Sequence, residues 1–307
     1  MSLADTIKLG MAIPQAFIET PVDMNIVRNV CQRSEALGFD SLWTSSAVFG
    51  DSAVLEPLGL LSYAAGITST VRLGVSVLVF PLHSPVSIAK SFASLDQISN
   101  GRAIVGLGLG NRTDPYAAFG LTPVKRVERF EAGIELMKSL WSQPTTDYRN
   151  NYFHLENARM EPKPLQHPHV PIWLGGGHSN VLRRAVTMAD GWMGAGASSN
   201  VSFKARVAHI RAMLEEAGRD PEHFTISKRI YISVDNNETR ALDRLRVCFN
   251  GIYGNANLAD EVAVWGSPEK CIEILNDVAS VGVDHLLLHP LVDFEEQLEA
   301  VSELSRA

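Results

Sequence analysis

From residue 7 to residue 289, short runs rich in β-branched and aromatic residues alternate with longer stretches whose apolar residues recur every three or four positions. A short apolar run bounded by turn residues reads as a buried strand, and the longer recurrence as an amphipathic helix, so the alternation specifies βα units around a parallel sheet. Strands are expected at 7–13, 39–45, 71–80, 102–107, 171–174, 191–194, 225–234 and 285–289. Helices are expected at 24–37, where Gly38 supplies the stop, at 57–65, at 84–98 with Ser84 as N-cap and Pro85 at the first turn, and at 127–141. Eight such units in a chain of 307 residues fit an α/β (β/α)8 TIM barrel, a single domain over 1–307. A doubly wound sheet is the rival, but the first βα turn lacks the glycine fingerprint with an acidic residue about 20 positions on. The stretch 142–169, with Pro144, Pro162, Pro164 and Pro168, interrupts the rhythm and reads as an insertion or small hairpin over the surface.

Composition narrows the function classes. With 46% hydrophobic and 20% charged residues the chain is globular, and a net charge of −7 gives no electrostatic reason to hold nucleic acid. Cys31, Cys248 and Cys271 are too few and too far apart for a disulfide framework or a metal pair, and read as buried thiols. The N-terminus lacks a basic region followed by an apolar one, and no run nears the roughly 18 apolar residues of a membrane span, so a cytoplasmic protein without a membrane partner is expected.

Active sites of such barrels lie in the loops after the strands, which directs attention to Gly106-Leu107-Gly108-Leu109-Gly110-Asn111 and Gly175-Gly176-Gly177-His178-Ser179. Both clusters fit two readings: tight turns, or backbone that approaches an anion closely at a helix N-terminus. Around the same mouth fall Ser45, Ser46, Asp51 and Glu56, then Ser76 and His83, Asn111 and Arg112, and His289. His83 is either a helix-entry residue or a pocket contact. Glu128 and Glu131, flanked by Arg126 and Arg129, read as a solvated helix face, and His167 and His169 as surface residues without metal-ligand spacing. No GxSxG is present, and Lys228, expected to open the seventh strand, faces the wrong end for a Schiff base. The five tryptophans read as core.

Three segments in order, LGFDSLW at 37–43, LGVSVLVFPLHSPVSIAKSFASLDQISNGRAIVGLGLG at 73–110 and PKPLQHPHVPIWLGGGHSNVLRRAVTMADGWM at 162–193, resemble the bacterial luciferase-like family of flavin- and deazaflavin-dependent oxidoreductases. The likeness runs over nearly the whole chain. It implies a luciferase-type barrel that binds coenzyme F420, or alternatively FMN, at the strand carboxyl ends, acts on a small-molecule substrate and forms a homodimer; no metal is expected, since no metal-ligand spacing emerges from the residues. It further implies a non-prolyl cis peptide at Ser76-Val77 behind the isoalloxazine ring. Ser45 belongs with these cofactor contacts, and the phosphate is expected at Leu109, Gly110 and Asn111 and at Gly176, Gly177, His178 and Ser179; Leu109 stands where luciferase itself has arginine.

One departure bears on chemistry. Many deazaflavin-dependent members carry Ser-Asp-His after the second strand, where this chain reads Thr44-Ser45-Ser46. Ser46 can donate a hydrogen bond but is no general acid near neutral pH without help. Glu56, through the likeness of SSAVFGDSAVLEPL to a loop of methylene-tetrahydromethanopterin reductases, and His83, through position, complete the catalytic candidates. The expected function is hydride transfer between F420 and a small organic compound. An FMN-dependent monooxygenase using oxygen is the alternative, and a non-catalytic flavin-binding protein the second.

Overall fold

The computed structural model describes residues 2–17, 21–50, 52–111, 113 and 115–306, so Asp51 and Arg112 of the sequence reading lie outside the described residues. Eight strands close on themselves: β1 (Lys8–Ala12), β2 (Ser41–Thr44), β3 (Arg72–Val75), β4 (Ala103–Gly108), β5 (Ile172–Gly175), β6 (Gly191–Gly194), β7 (Thr225–Val234) and β8 (His285–His289). Every neighbouring pair is parallel, and closure comes from β8 pairing β1 (Lys8 with His285) while β4 pairs β5 (Gly108 with Gly175). Around them pack α1 (Met24–Ala36), α2 (Pro57–Ile67), α3 (Pro85–Ile98), α4 (Arg126–Ser142), α5 (Ser179–Met188), α6 (Asn200–Glu216), α7 (Glu238–Tyr253), α8 (Pro268–Ala279) and α9 (Phe294–Arg306). The sequence reading assigns no elements to 195–224 or 235–284, which hold α6, α7 and α8.

Local chemistry sets the helix starts. Asp23, Ser84, Ser199, Asn237 and Ser267 each accept a backbone N–H of the first turn, and Pro57, Pro85 and Pro268 sit where a missing N–H costs nothing. The main core lies between strands and helices. Inside the barrel, Ala12, Trp43, Ile104, Trp173, Met193 and Leu287 form a separate buried layer. At its amino-terminal end His285 bridges Ser41 and Ser227, each at 2.8 Å. Burial, then Arg72 and Lys8, pushes its pKa down to about 3, so the imidazole is neutral.

The third strand departs from expectation. It stops at Val75, the Ser76-Val77 peptide is cis, and the chain resumes at Leu78–Val79 against β4 before a turn at Phe80–Leu82. Glycines make room for this bulge: a Cβ on Gly106 would lie 2.0 Å from the Val75 carbonyl oxygen, and Cβ atoms on Gly108 and Gly175 would lie 2.6 and 2.7 Å from Val77 methyl groups. Three glycines of the two clusters therefore make room for a neighbouring strand. The 142–169 stretch contains an antiparallel hairpin, Thr146–Arg149 with His154–Ala158, and a proline loop tied down by the buried Asp96 carboxylate, which accepts from Leu165 N and Gln166 N. Among the described residues no helix is long and apolar enough to cross a membrane, and no cluster of three or more His, Cys, Asp or Glu could hold a metal ion.

Candidate functional site

A cavity of about 880 Å³ opens at the carboxyl ends of the strands, within the range of small-molecule and cofactor sites. One wall is the β3 bulge, where Ser76 and Val77 meet Met193 from β6. The Ser76 hydroxyl donates to Met193 Sδ at 2.9 Å, and its carbonyl oxygen accepts from Arg229 Nη1 at 2.9 Å. The Ser76 hydroxyl is thus spent inside the protein.

The second wall carries Leu109, Gly110 and Asn111 after β4 and Gly176 and His178 after β5. Gly110 (φ +64°) and Gly176 (φ +135°) take backbone conformations that a side chain would oppose. His178 caps α5 by accepting from Asn180 N through Nδ1. Arg126 and Arg184 close this side, Arg184 being paired with Glu131. Arg126 therefore does not belong to a solvated helix face, and Glu131 anchors a cavity arginine.

The third wall is the β2 loop with Ser45 and Ser46. Buried Gln15 fixes it: its Nε2 donates to the carbonyls of Ser45 (2.7 Å) and Leu55 (2.6 Å), and its Oε1 accepts from Ser45 N (2.7 Å) and Ser45 Oγ (3.2 Å).

The fourth wall comes from β7, β8 and α7. Arg229 Nη2 donates to the Tyr231 hydroxyl, which shares a 2.7 Å hydrogen bond with the Tyr253 hydroxyl, and the His289 ring lies 5.3 Å from that of Tyr231. Burial, and then the Arg229 cation, hold His289 well below the usual histidine range. Burial and Tyr231 push the Tyr253 hydroxyl up, against the opposing pull of Arg229. Ile252, Leu291 and Phe294 add apolar surface.

Four of the expected site residues lie off the cavity wall. Glu56 is exposed and serves as N-cap of α2, accepting from Gly59 N at 2.6 Å. His83 follows the Phe80–Leu82 turn and leads into the α3 cap, half-buried beside Phe119; burial lowers its pKa and Glu56 opposes the shift. Gly177 turns toward α6: its carbonyl accepts from Arg206 Nε at 2.9 Å, and a Cβ would come 2.7 Å from the Arg206 guanidinium carbon. Ser179 is the exposed first residue of α5. Lys228 is the fourth residue of β7 rather than its opening one, and it points outward, over Phe203 and onto the Ser198 carbonyl at 2.8 Å. Burial followed by Arg206 lowers its pKa to about 8.

Gln15, Arg126, Arg184, Arg229, Tyr231 and Tyr253 are cavity residues that the sequence reading did not select. For two of them a signal existed. In β7 the alternate positions Ser227, Arg229, Tyr231 and Ser233 are polar, while Ile226, Ile230 and Ile232 are apolar, the period-two mark of a strand with a polar inner face. The wall as a whole carries three arginines and, among the described residues, no carboxylate. That charge suits a phosphate-bearing ligand, and the apolar bulge of Val77 with Val79, Leu109 and Met193 suits a flat ring system.

The profile of the luciferase-like monooxygenase family matches residues 7–260. The chain belongs to that family. It is 30% identical over 287 residues to the F420-dependent glucose-6-phosphate dehydrogenase of Kineococcus radiotolerans, covering 84% of each chain. Against uncharacterized mycobacterial relatives, 32% identical over 167 residues, it spans only 58% of their length. Among solved structures, an F420-dependent secondary alcohol dehydrogenase in complex with an F420-acetone adduct superposes with a TM-score of 0.85 at 20% identity, over 97% of this chain and 98% of that one. The FMN complex of a type II Baeyer–Villiger monooxygenase from Pseudomonas putida superposes at 0.79 and 15% identity, over 97% of each chain. These two likenesses are of fold.

Proposed function

We propose that this protein is an oxidoreductase that transfers hydride between coenzyme F420 and a small organic carbonyl or alcohol. The observation that carries the reading is the relation to an F420-dependent dehydrogenase across 84% of both chains, joined to a cavity lined by three arginines and an apolar bulge. When bound, the deazaflavin supplies a two-electron hydride donor or acceptor. The chain's part is geometry and protons. Val77 and Met193 offer an apolar face to the ring, with the bulge braced by Arg229, while Arg126, Arg184 and the loops at Gly110 and Gly176 receive the phosphate.

With Ser45 turned onto Gln15 and no acid among the described residues of the wall, the proton that accompanies hydride comes from the hydroxyl chain. Tyr253 donates to the substrate oxygen, and the Arg229 cation, which pulls against burial and Tyr231 at that hydroxyl, stabilises the charge left on it. Ser46 orients the substrate or ring by a hydrogen bond. The same proposal includes a single barrel domain over 1–307, a homodimer and a cytoplasmic setting.

The test is titration of the purified protein with F420 and, separately, with FMN, followed by tryptophan fluorescence and the cofactor spectrum. Selective F420 binding is the expected result. Selective binding of reduced FMN with oxygen consumption replaces the proposal by the monooxygenase reading, and binding of neither by the non-catalytic one.

A further inference from the structure

Among the described residues, Arg229 is a cation without a counter-ion. Its guanidinium projects from β7 into the cavity, where Nη1 donates to the Ser76 carbonyl and Nη2 to the Tyr231 hydroxyl, both neutral acceptors. Nε is shielded from water and has no partner. No carboxylate forms an ion pair with it among the described residues, and none of those lining the cavity is acidic. Arg229 is half-buried at the cavity wall, and a charge partly withdrawn from water without an opposite charge favours an anion seated against it. A second orphan lies beside it: the Nδ1 of His289 is buried without a partner, on a neutral imidazole. Above both, Ile252, Leu291 and Phe294 form an apolar flank.

We propose that Arg229, with the Tyr253 hydroxyl, is the subsite for a carboxylate on the substrate, the rest of which lies against Ile252, Leu291 and Phe294. A guanidinium presents parallel N–H donors that match a carboxylate, which a lone hydroxyl pair does not. The substrate is thus an organic acid with an apolar body. This deepens the proposed function and rests on it for the identity of the site as a substrate pocket. The same charge could instead meet an anionic group of the cofactor, and the experiment separates the two.

Benzoate, benzamide and benzyl alcohol are titrated calorimetrically into the wild type, Arg229→Met and Tyr253→Phe, each with and without saturating F420, and thermal unfolding is recorded for every sample. The expected result is benzoate binding at least tenfold tighter than benzamide or benzyl alcohol, in the presence as in the absence of F420. Arg229→Met is expected to lose that preference; because Arg229 also braces the Ser76 carbonyl, the ratio of benzoate to benzamide affinity is the readout, with F420 affinity and unfolding temperature recorded beside it. Tyr253→Phe is expected to weaken benzoate severalfold. Equal binding of the three probes overturns the proposal, as does a Met variant that keeps the benzoate preference. An Arg229→Met variant that binds benzoate normally but melts lower makes Arg229 a structural brace of Ser76. Loss of F420 affinity in that variant, with benzoate displacing F420, assigns the charge to the cofactor. Failure of F420 to bind at all leaves the benzoate titration without cofactor as an independent reading of the subsite.

Discussion

At the scale of single residues, the site depends as much on missing side chains as on present ones. Gly106 passes so close to the Val75 carbonyl that a methyl group there would stand 2.0 Å from a backbone atom with no freedom to withdraw. Overpacking of this kind costs about 1–3 kcal/mol, more where the neighbour is main chain, and the displaced strand is the one that carries the Ser76-Val77 bulge. Gly106→Ala is therefore expected to lower stability by about 2 kcal/mol or more in denaturant unfolding and to weaken cofactor binding. Gly66→Ala, on α2 with nothing within 4 Å of the new carbon, is expected to gain about 0.5–1 kcal/mol. Equal effects at the two positions would show that the close approach does not matter. The same pair shows what the sequence made legible. Glycines after the fourth strand announce that something comes close, but the letters are identical whether the visitor is a phosphate or a strand. The polar side chains of Arg229 and Tyr231 were likewise visible in an alternating strand, while which face turned inward depended on register with β6 and β8.

At the scale of elements, one side chain holds two loops over the cavity. Gln15, just past β1, uses both ends of its amide to tie the Ser45 loop to Leu55. Gln15→Leu leaves Ser45 N and two carbonyls without partners in a buried setting, a loss of about 1–3 kcal/mol for each group not reached by water. Hydrogen exchange is expected to accelerate across residues 45–55 while β5 to β8 keep their protection. An unchanged pattern would mean that the short pairing of Ala16–Phe17 with Ala53–Val54 suffices by itself. No periodicity foretells such a clasp, since its partners are 30 and 40 residues away. Periodicity did find all eight strands, because burial on both faces forces near-continuous apolar runs. It ran the third one through the bulge for the same reason: LGVSVLVF stays β-branched where the backbone leaves the sheet.

For the whole molecule, the polar groups inside the barrel tie stability to pH. His285 sits between Ser41 and Ser227 with Trp43 and Trp173 rings each 5.5 Å away, and His289 lies at the other end of the same strand. Both have pKa values depressed by burial, His285 to about 3, against about 6.5 in the unfolded chain. A group depressed on folding leaves stability intact above its unfolded pKa; as pH falls below 6.5 the unfolded chain takes up protons that the folded barrel refuses. Each such histidine then costs about 1.4 kcal/mol of stability per pH unit until the folded pKa is reached. Surface carboxylates titrate mostly below pH 4.5, so the interval from 6.5 to 5 isolates the histidines. The melting temperature is expected to fall by several degrees across that interval, and His285→Gln to reduce the fall whatever it does to the melting temperature at pH 7. The slope rather than the level decides: a variant that melts lower at pH 7 yet declines as steeply as wild type would place the proton uptake elsewhere.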